Sequence, residues 1–487
     1  MSRRLTPIEA IMWRAGQDAT LRMTVGNLMI LDRAPTRQAL VDRLTRAAKQ
    51  TPRLRRRPDD PSRVRARPTW VDDPDFDADR HVRLAAVPSP GDQRQLLDLV
   101  ALLEPAPFDP DRPPWDATLI EGLEGGRAGL YLRAHHALTD GIGGLSLIDS
   151  LLDAPKPAGA RSSGRTTRGK SVPESDTGEP VGETPAPTPL AAVPVDGDGV
   201  RKPGTVTLTI DLTRAAGAAR GAAGTAMSID PVDTLVRGLQ RSLDAASSIS
   251  RQVVVAGGPL SSLSATRSMS NRFEVVSVPA ARTIALSLGG SRNDLLVAAA
   301  AAGLGAYQER LGLPTAELRL AMPASRHRDG AAGGNWFAPT RIAVPTGGDH
   351  PGPHFGVVAE RLARARREPA VRLTSPIASA LSWLPGRLLL PALHAQAHSV
   401  DFVATSFSGL RGPRTIAGAL VEGSYPFGPR LGCLMNITGF GVGDRLDVGV
   451  TLDPAAVSEP DAFLECLAAA FAAFARNSPP PTNATQA

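Results

Sequence analysis

Apolar and polar positions along the first 152 residues follow two periods. Helical spacing predicts helices over residues 7–15, 37–48, 93–103 and 143–152, and alternation predicts strands over 22–31, 118–122 and 128–135. From residue 205 onward the same two periods return. Strands are expected over 206–212, 273–278, 318–322, 339–344, 417–423, 431–437 and 445–452, and helices over 228–246, 293–311 and 461–475. Both halves mix the two elements without a strict strand–helix–strand rhythm, which predicts an α/β protein of two domains with mixed sheets. Between the halves, residues 154–204 hold Pro, Gly, Ser, Thr and charge with almost no large apolar side chain. Such a stretch cannot bury enough surface to offset its ordering entropy, so it reads as a disordered linker between domains at 1–153 and 205–487.

The apolar fraction, 42% of 487 residues, allows a large core, and with aromatics at 4% that core falls to Ala, Val, Leu and Ile. The net charge of +6 and a pI near 9.8 raise nucleic acid as a partner. Three features argue against it. Only Lys49, Lys156, Lys170 and Lys202 among the 54 basic residues are lysine, the acidic residues are interspersed, and the one dense basic run, 53–67, lacks aromatics and leads into an acidic stretch. That run reads as solvated surface, with an anion or membrane-surface patch as the alternative. Cys433 and Cys466 lie in apolar surroundings without metal spacing, which predicts buried free thiols in a reducing compartment. No apolar run is long enough to cross a bilayer, and the N-terminus leads into an amphipathic helix rather than a signal-peptide core. The expectation is a cytoplasmic protein, or one peripheral to the inner face of the plasma membrane.

The chemistry concentrates at residues 135–141. The strand pattern ends in His135 and His136, and since neighbouring strand side chains point to opposite faces, only one can face a given cavity. A neutral histidine titrating near pH 7 suits proton abstraction from an alcohol. Asp140 could orient it, or pair with an arginine and hold the loop in shape. Gly141 permits a turn that a β-carbon would hinder. On the residues alone, two satisfied core histidines remain open, and so does a metal site, although the pair diverges and no third ligand lies nearby. A serine or cysteine nucleophile lacks its Gly-x-Ser-x-Gly elbow or a neighbouring histidine.

The segment His135-His136-Ala137-Leu138-Thr139-Asp140-Gly141 matches the HHxxxDG motif of the coenzyme-A-dependent acyltransferase superfamily, which includes chloramphenicol acetyltransferase and peptide-synthetase condensation domains. The ordered set of motifs resembles the bacterial wax ester synthase/diacylglycerol acyltransferase family. Leu5-Thr6-Pro7-Ile8-Glu9-Ala10 is similar to its "LSPLDA", and Met23-Thr24-Val25-Gly26 to its "MHVG". Phe76-Asp77, His81-Val82 and Pro88-Ser89-Pro90-Gly91 resemble "FD…HV…LPAPG", and Arg112-Pro113-Pro114-Trp115 resembles "RPLW". Asn293-Asp294 and Gly334-Asn335 look like its "ND" and "GN", and residues 409–418 weakly resemble "NVPGP…GA". Thr24 departs from the family's His and Pro114 from its Leu.

The resemblance implies two chloramphenicol-acetyltransferase-like domains meeting at an active-site tunnel. It implies His136 as catalytic base, His135 as its partner, Asp140 and Gly141 shaping the site, and Asn293 and Asp294 near it from the other domain, as substrate-binding residues. The implied reaction moves a long-chain acyl group from acyl-CoA to diacylglycerol or a fatty alcohol, giving triacylglycerol or wax ester, with no cofactor or metal and no acyl-enzyme. A hydroxyl of a polyketide or other secondary metabolite is the alternative acceptor, and a non-catalytic lipid-binding protein is the alternative of another class. Asn293-Asp294 also reads simply as a helix N-cap before Leu295. Residues 377–393, apolar but broken by Pro385 and Pro391, suit either a core helix or a helix resting on a lipid surface, a membrane or droplet.

Overall fold

The computed structural model describes residues 3–60, 67–138, 148–153, 268–325, 337–347, 350–367, 382, 388–391, 393–394, 400–410 and 412–478. The first half supplies β1 (Arg3–Arg4), α1 (Pro7–Ala15), β2 (Thr24–Leu31), α2 (Arg37–Gln50), β3 (Arg56–Asp59), β4 (Thr69–Asp72), β5 (Val82–Ala86), α3 (Gln93–Leu103), β6 (Trp115–Glu121) and β7 (Ala128–His135). The second half supplies β8 (Arg272–Val278), α4 (Ala281–Ser287), α5 (Arg292–Arg310), β9 (Glu317–Ser325), β10 (Phe337–Pro345), α6 (Pro351–Arg366), β11 (Phe402–Leu410), β12 (Thr415–Ile416), β13 (Ala419–Phe427), β14 (Met435–Val442), β15 (Arg445–Leu452) and α7 (Pro460–Arg476). The expected linker at 154–204, the strand at 206–212 and the helix at 228–246 lie outside the described residues.

Two six-stranded mixed sheets form the frame. One runs β12-β13-β2-β7-β6-β5, antiparallel except for the parallel β5/β6 pair. The other runs β10-β9-β11-β14-β15-β8, with β11 parallel to both β9 and β14. The small sheet β1-β4-β3 stands apart. The α/β architecture with two mixed sheets is therefore as expected, but the sheets do not divide at the middle of the chain. β13, from the second half, pairs with β2 in the first half's sheet and also packs on β14 and β15. Gly449 permits that crossing, since a Cβ there would lie 2.0 Å from the Pro426 carbonyl oxygen. Buried Asp447 fastens it by accepting from the Ser424 amide at 2.9 Å, and Ser424 in turn exchanges hydrogen bonds with Asn27 on β2.

Local rules explain the helix ends. α1, α3 and α5 begin with reciprocal capping boxes, Thr6/Glu9, Asp92/Gln95 and Ser291/Asp294. The cap of α5 is thus Ser291, and neither Asn293 nor Asp294 is the N-cap that their residue types suggested. α5 is apolar on every side and is accordingly surrounded, by α4, α6, α7 and β11. Its Leu295–Ala301 stretch is fully buried in the larger core cluster, and a second cluster fills the space under the first sheet.

Several elements depart from the expected bounds. β14 begins four residues later than expected because Leu431 and Gly432 adopt left-handed φ values and make a turn. β13 starts after the left-handed Ala417-Gly418 pair and runs on through Pro426. Within the described part of the basic run, Arg53 pairs with buried Glu9 and lies over Trp70, Arg56 pairs with Asp72 at 2.8 Å and Arg57 with Asp111 at 3.7 Å, while Arg55 is exposed. Cys433 is buried, whereas Cys466 is partly exposed. Of residues 377–393, the described part packs inward, with Leu389 buried and Leu390 and Leu393 against the cluster under the first sheet, while Leu388 is exposed.

Candidate active site

β7 carries the histidine pair to the end of its sheet. Tyr131, Arg133 and His135 share one face by the two-residue period. The strand stops at His135, so His136 stands on the turn that follows rather than on the opposite face of a continuing strand. The two side chains are separated by burial: His135 is buried and His136 is half-buried.

Four successive amides of this turn are fixed. The His135 amide donates to the Pro114 carbonyl at 2.9 Å, that of His136 to the Met23 carbonyl at 2.6 Å, and that of Leu138 to the His135 carbonyl at 2.8 Å. The Ala137 amide donates to Nδ1 of the His135 ring at 3.1 Å. An accepting Nδ1 places the proton of the neutral imidazole on Nε2. That atom is fully buried and has no hydrogen-bond partner among the described residues. The ring lies 4.9 Å from the Trp13 ring and edge-on to Phe108 at 6.5 Å.

Burial, with a smaller contribution from neighbouring His136, pulls the His135 pKa from 6.5 down to about 3. The unfolded chain therefore binds a proton that the folded chain refuses. The stability His135 confers is complete above pH 6.5 and is lost as pH falls toward 3, by about 1.4 kcal/mol per unit. At pH 5 the loss is about 2 kcal/mol. His81 and His354, both lowered by burial, add acid sensitivity of the same sign, so the His135 part is isolated by comparison with His135→Asn. Urea unfolding at pH 7.5 and pH 5 is expected to show a smaller acid loss in the variant; equal losses would reject it.

Behind the pair lies a buried ionic clamp. Arg133 donates from Nε and Nη2 to the two carboxylate oxygens of Asp116 on β6, at 2.8 and 2.7 Å. Its Nη1 donates to the carbonyls of Leu103, Glu104 and Ala106, between 2.7 and 2.9 Å. The guanidinium lies 4.8 Å from the Phe108 ring centre. Glu104, whose pKa burial pushes up, meets Arg22 at 3.3 Å and Asn271 at 3.2 Å.

The motif likenesses acquire physical roles here. Glu9 caps α1 and also receives Trp70 Nε1 at 3.2 Å. His81 stacks on Trp115 at 4.2 Å and bonds its carbonyl at 2.8 Å, which joins the segments of two motifs. Gly26 leaves room for the Tyr131 hydroxyl, 2.7 Å from where a Cβ would be.

Asn293 and Asp294 sit on the first turn of α5. The Asn293 side-chain oxygen accepts the Ser406 amide at 3.0 Å, beyond the point where β9 stops pairing with β11, and its nitrogen faces Met322 Sδ at 3.5 Å. Asp294 accepts from the Ser291 amide and hydroxyl and pairs with Arg366 at 3.1 Å. Both thus organise the helix start within the second sheet. Asp140, Gly141 and Gly334-Asn335 lie outside the described residues. No cluster of three metal-ligating side chains occurs among the described residues. The sequence reading missed Gly16, Arg133 and Asp116. Arg133 carried a signal, a charge inside the apolar run expected as the strand 128–135, whereas Asp116 lay just outside the strand expected at 118–122 and Gly16 resembled an ordinary helix end.

Comparison with known proteins agrees with this arrangement. The wax ester synthase/diacylglycerol acyltransferase catalytic domain matches residues 5–296, and the C-terminal domain of the same family matches 333–474. A diacylglycerol O-acyltransferase-like protein of Mycobacterium tuberculosis is 31% identical over 474 residues, 97% of this chain and 91% of its own length. Another from that organism, tgs3, is 39% identical over 150 residues, 30% of this chain and 55% of its own. The wax ester synthase/diacylglycerol acyltransferase of Marinobacter aquaeolei superposes with a TM-score of 0.60 at 19% identity, covering 98% of this chain and 99% of that one. A starter condensation domain of rhizomide synthetase, a double mutant in complex with C8-CoA and Leu-SNAC, gives 0.54 at 11% identity, covering 98% and 96%. These two likenesses show a shared fold. With both family domains matched along its length and a relative aligned almost end to end, the chain belongs to the wax ester synthase/diacylglycerol acyltransferase family of acyl-CoA-dependent O-acyltransferases.

Proposed function

We propose that the protein transfers a long-chain acyl group from acyl-CoA to the hydroxyl of diacylglycerol, or of a fatty alcohol, with His136 as general base. The observation that carries the assignment is the half-buried His136 on a turn whose four amides are all engaged. A base must be held within about 0.5 Å of its productive place, and such a turn supplies that. His136 accepts the hydroxyl proton as the oxygen attacks the thioester carbonyl carbon. Collapse of the tetrahedral adduct breaks the carbon–sulfur bond, and the departing CoA thiolate takes the proton back from the imidazolium. His135 serves as a neutral partner, Asp140 and Gly141 shape the loop after it, and Asn293 and Asp294 contribute through the end of α5 that they build. No described helix is long and apolar enough to cross a membrane. We place the protein at a lipid surface by substrate chemistry, with exposed Leu388 as one contact.

The test is a product screen: purified protein, palmitoyl-CoA, and either diacylglycerol or hexadecanol, read by free thiol and by mass spectrometry. Triacylglycerol or wax ester formed in step with thiol release is the expected result. Turnover with an acyl-carrier thioester and none with acyl-CoA would overturn the donor assignment. Lipid binding without any turnover would overturn the enzymatic one.

A further inference from the structure

Gly16 terminates α1, and its presence there has no backbone reason. Its φ of −64° and ψ of −12° lie in the right-handed helical region, open to every residue, and it lacks the left-handed conformation that glycine usually supplies at a helix end. Alanine would suit the same conformation better by up to about 1 kcal/mol of helix propensity. What excludes a side chain is contact. A Cβ on Gly16 would stand 2.3 Å from Nε2 of His135 and 3.2 Å from Cδ2 and Cε1. Nε2 is the fully buried atom that has no partner among the described residues. The His135 ring is therefore pressed edge-first against bare backbone, with Trp13 from the same helix at 4.9 Å. At its other nitrogen the ring receives the Ala137 amide.

We infer that Gly16 is a positioning residue for acyl transfer: the space left by its absent Cβ seats His135, and the seated ring fixes the turn that bears His136. The inference rests on His136 being the base, and extends it to a helix more than a hundred residues earlier in the chain. The coupling runs by contact from α1 through an imidazole that acts as a wedge and amide acceptor and exchanges no proton. A methyl group at position 16 has to push the ring toward the turn or force α1 away from it, and either motion strains the Ala137 hydrogen bond. Displacement of a reacting group by 1 Å costs about 10²-fold in rate.

The experiment measures kcat and KM of the full chain with palmitoyl-CoA and diacylglycerol for wild type, Gly16→Ala, His135→Asn and the double variant, with His136→Ala as reference. Asparagine keeps an acceptor at the Nδ1 position and removes Cε1 and Nε2, the atom nearest the new methyl group. Gly16→Ala is expected to lose about 10²-fold in kcat with KM little changed. His135→Asn alone is expected to lose about tenfold, through the ring contact it gives up, and the double variant to recover about tenfold over Gly16→Ala. Because a loss confined to folding also lowers apparent kcat at unchanged KM, each kcat is normalised to the folded fraction read by urea unfolding, and the positioning role requires the loss in Gly16→Ala to persist after that normalisation. Full activity in Gly16→Ala overturns the inference, and so does a double variant no faster than Gly16→Ala. If Gly16→Ala fails to fold, the same double variant decides: recovery of fold and rate supports the wedge, and no recovery overturns it. Undiminished turnover in His136→Ala overturns the base assignment separately, because the rescue is read without it.

Discussion

His136→Ala is expected to lower kcat by about 10²- to 10⁴-fold, the usual contribution of a positioned general base. KM for acyl-CoA should change little, because the lost interaction exists chiefly in the transition state. The variant should fold, since the side chain is only half-buried and the amides that hold the turn belong to the backbone. An acid limb in the kcat/KM profile of the wild type does not come from His135, which burial holds neutral down to about pH 3, and is assigned to His136 as the proposed base. His135→Asn should therefore keep that limb where it is. Stopped thiol-release assays across pH 5 to 9 check both statements. A His136→Ala enzyme with an unchanged rate would remove the base from the mechanism, and a limb displaced in His135→Asn would return the proton to the first histidine.

How much of this could be read from the chain depends on where each signal came from. α1, β15 and α7 lie within a residue of their expected bounds, because strong periodicity coincides with Pro at N1 or a capping box, or with unbroken alternation. β3, β4 and β5 were not legible: they are four or five residues long, and β5 buries little beyond Val82. β11 hides in small and polar residues, Val403-Ala404-Thr405-Ser406, that find their place only by pairing on both sides. α6 opens Pro351-Gly352-Pro353, a loop signal by composition that the helix tolerates because Pro at N1 gives up no needed donor. The crossing of β13 into the other sheet is a long-range fact with no local mark beyond Gly449. At the site the histidine pair was legible because the motif is contiguous. The reason offered for distinguishing the two, alternation along a strand, gives way to a strand end followed by a turn, with burial dividing them. Asn293 and Asp294 were legible as helix-start residues, but which of their neighbours caps the helix was decided by Ser291, two residues outside the periodic run.

Removing the guanidinium of Arg133 is expected to cost more stability than any other single change at the site, about 3–5 kcal/mol for Arg133→Met. Its side chain is 1% exposed and that of Asp116 6%, so the carboxylate left behind stays in a low-dielectric interior, faced only by the half-exposed Arg83 at 3.6 Å among the described residues. The carbonyls of Leu103, Glu104 and Ala106 lose their common donor as well. Methionine fills comparable volume, so little of the loss is cavity. The decisive comparison is Arg133→Met with Asp116→Leu: with no charge left to bury, the double variant should regain most of the carboxylate penalty and keep only that of the three carbonyls. Urea unfolding with unchanged m-values reads both numbers. Activity should fall further than the folded fraction does, because Arg133 precedes His135 by two residues on the same strand face and holds the 103–106 segment, which leads to Phe108 at the His135 ring. An Arg133→Met protein within 1 kcal/mol of wild type would mean that relaxation or water satisfies Asp116, and the clamp would then lose its place as support for the histidine turn.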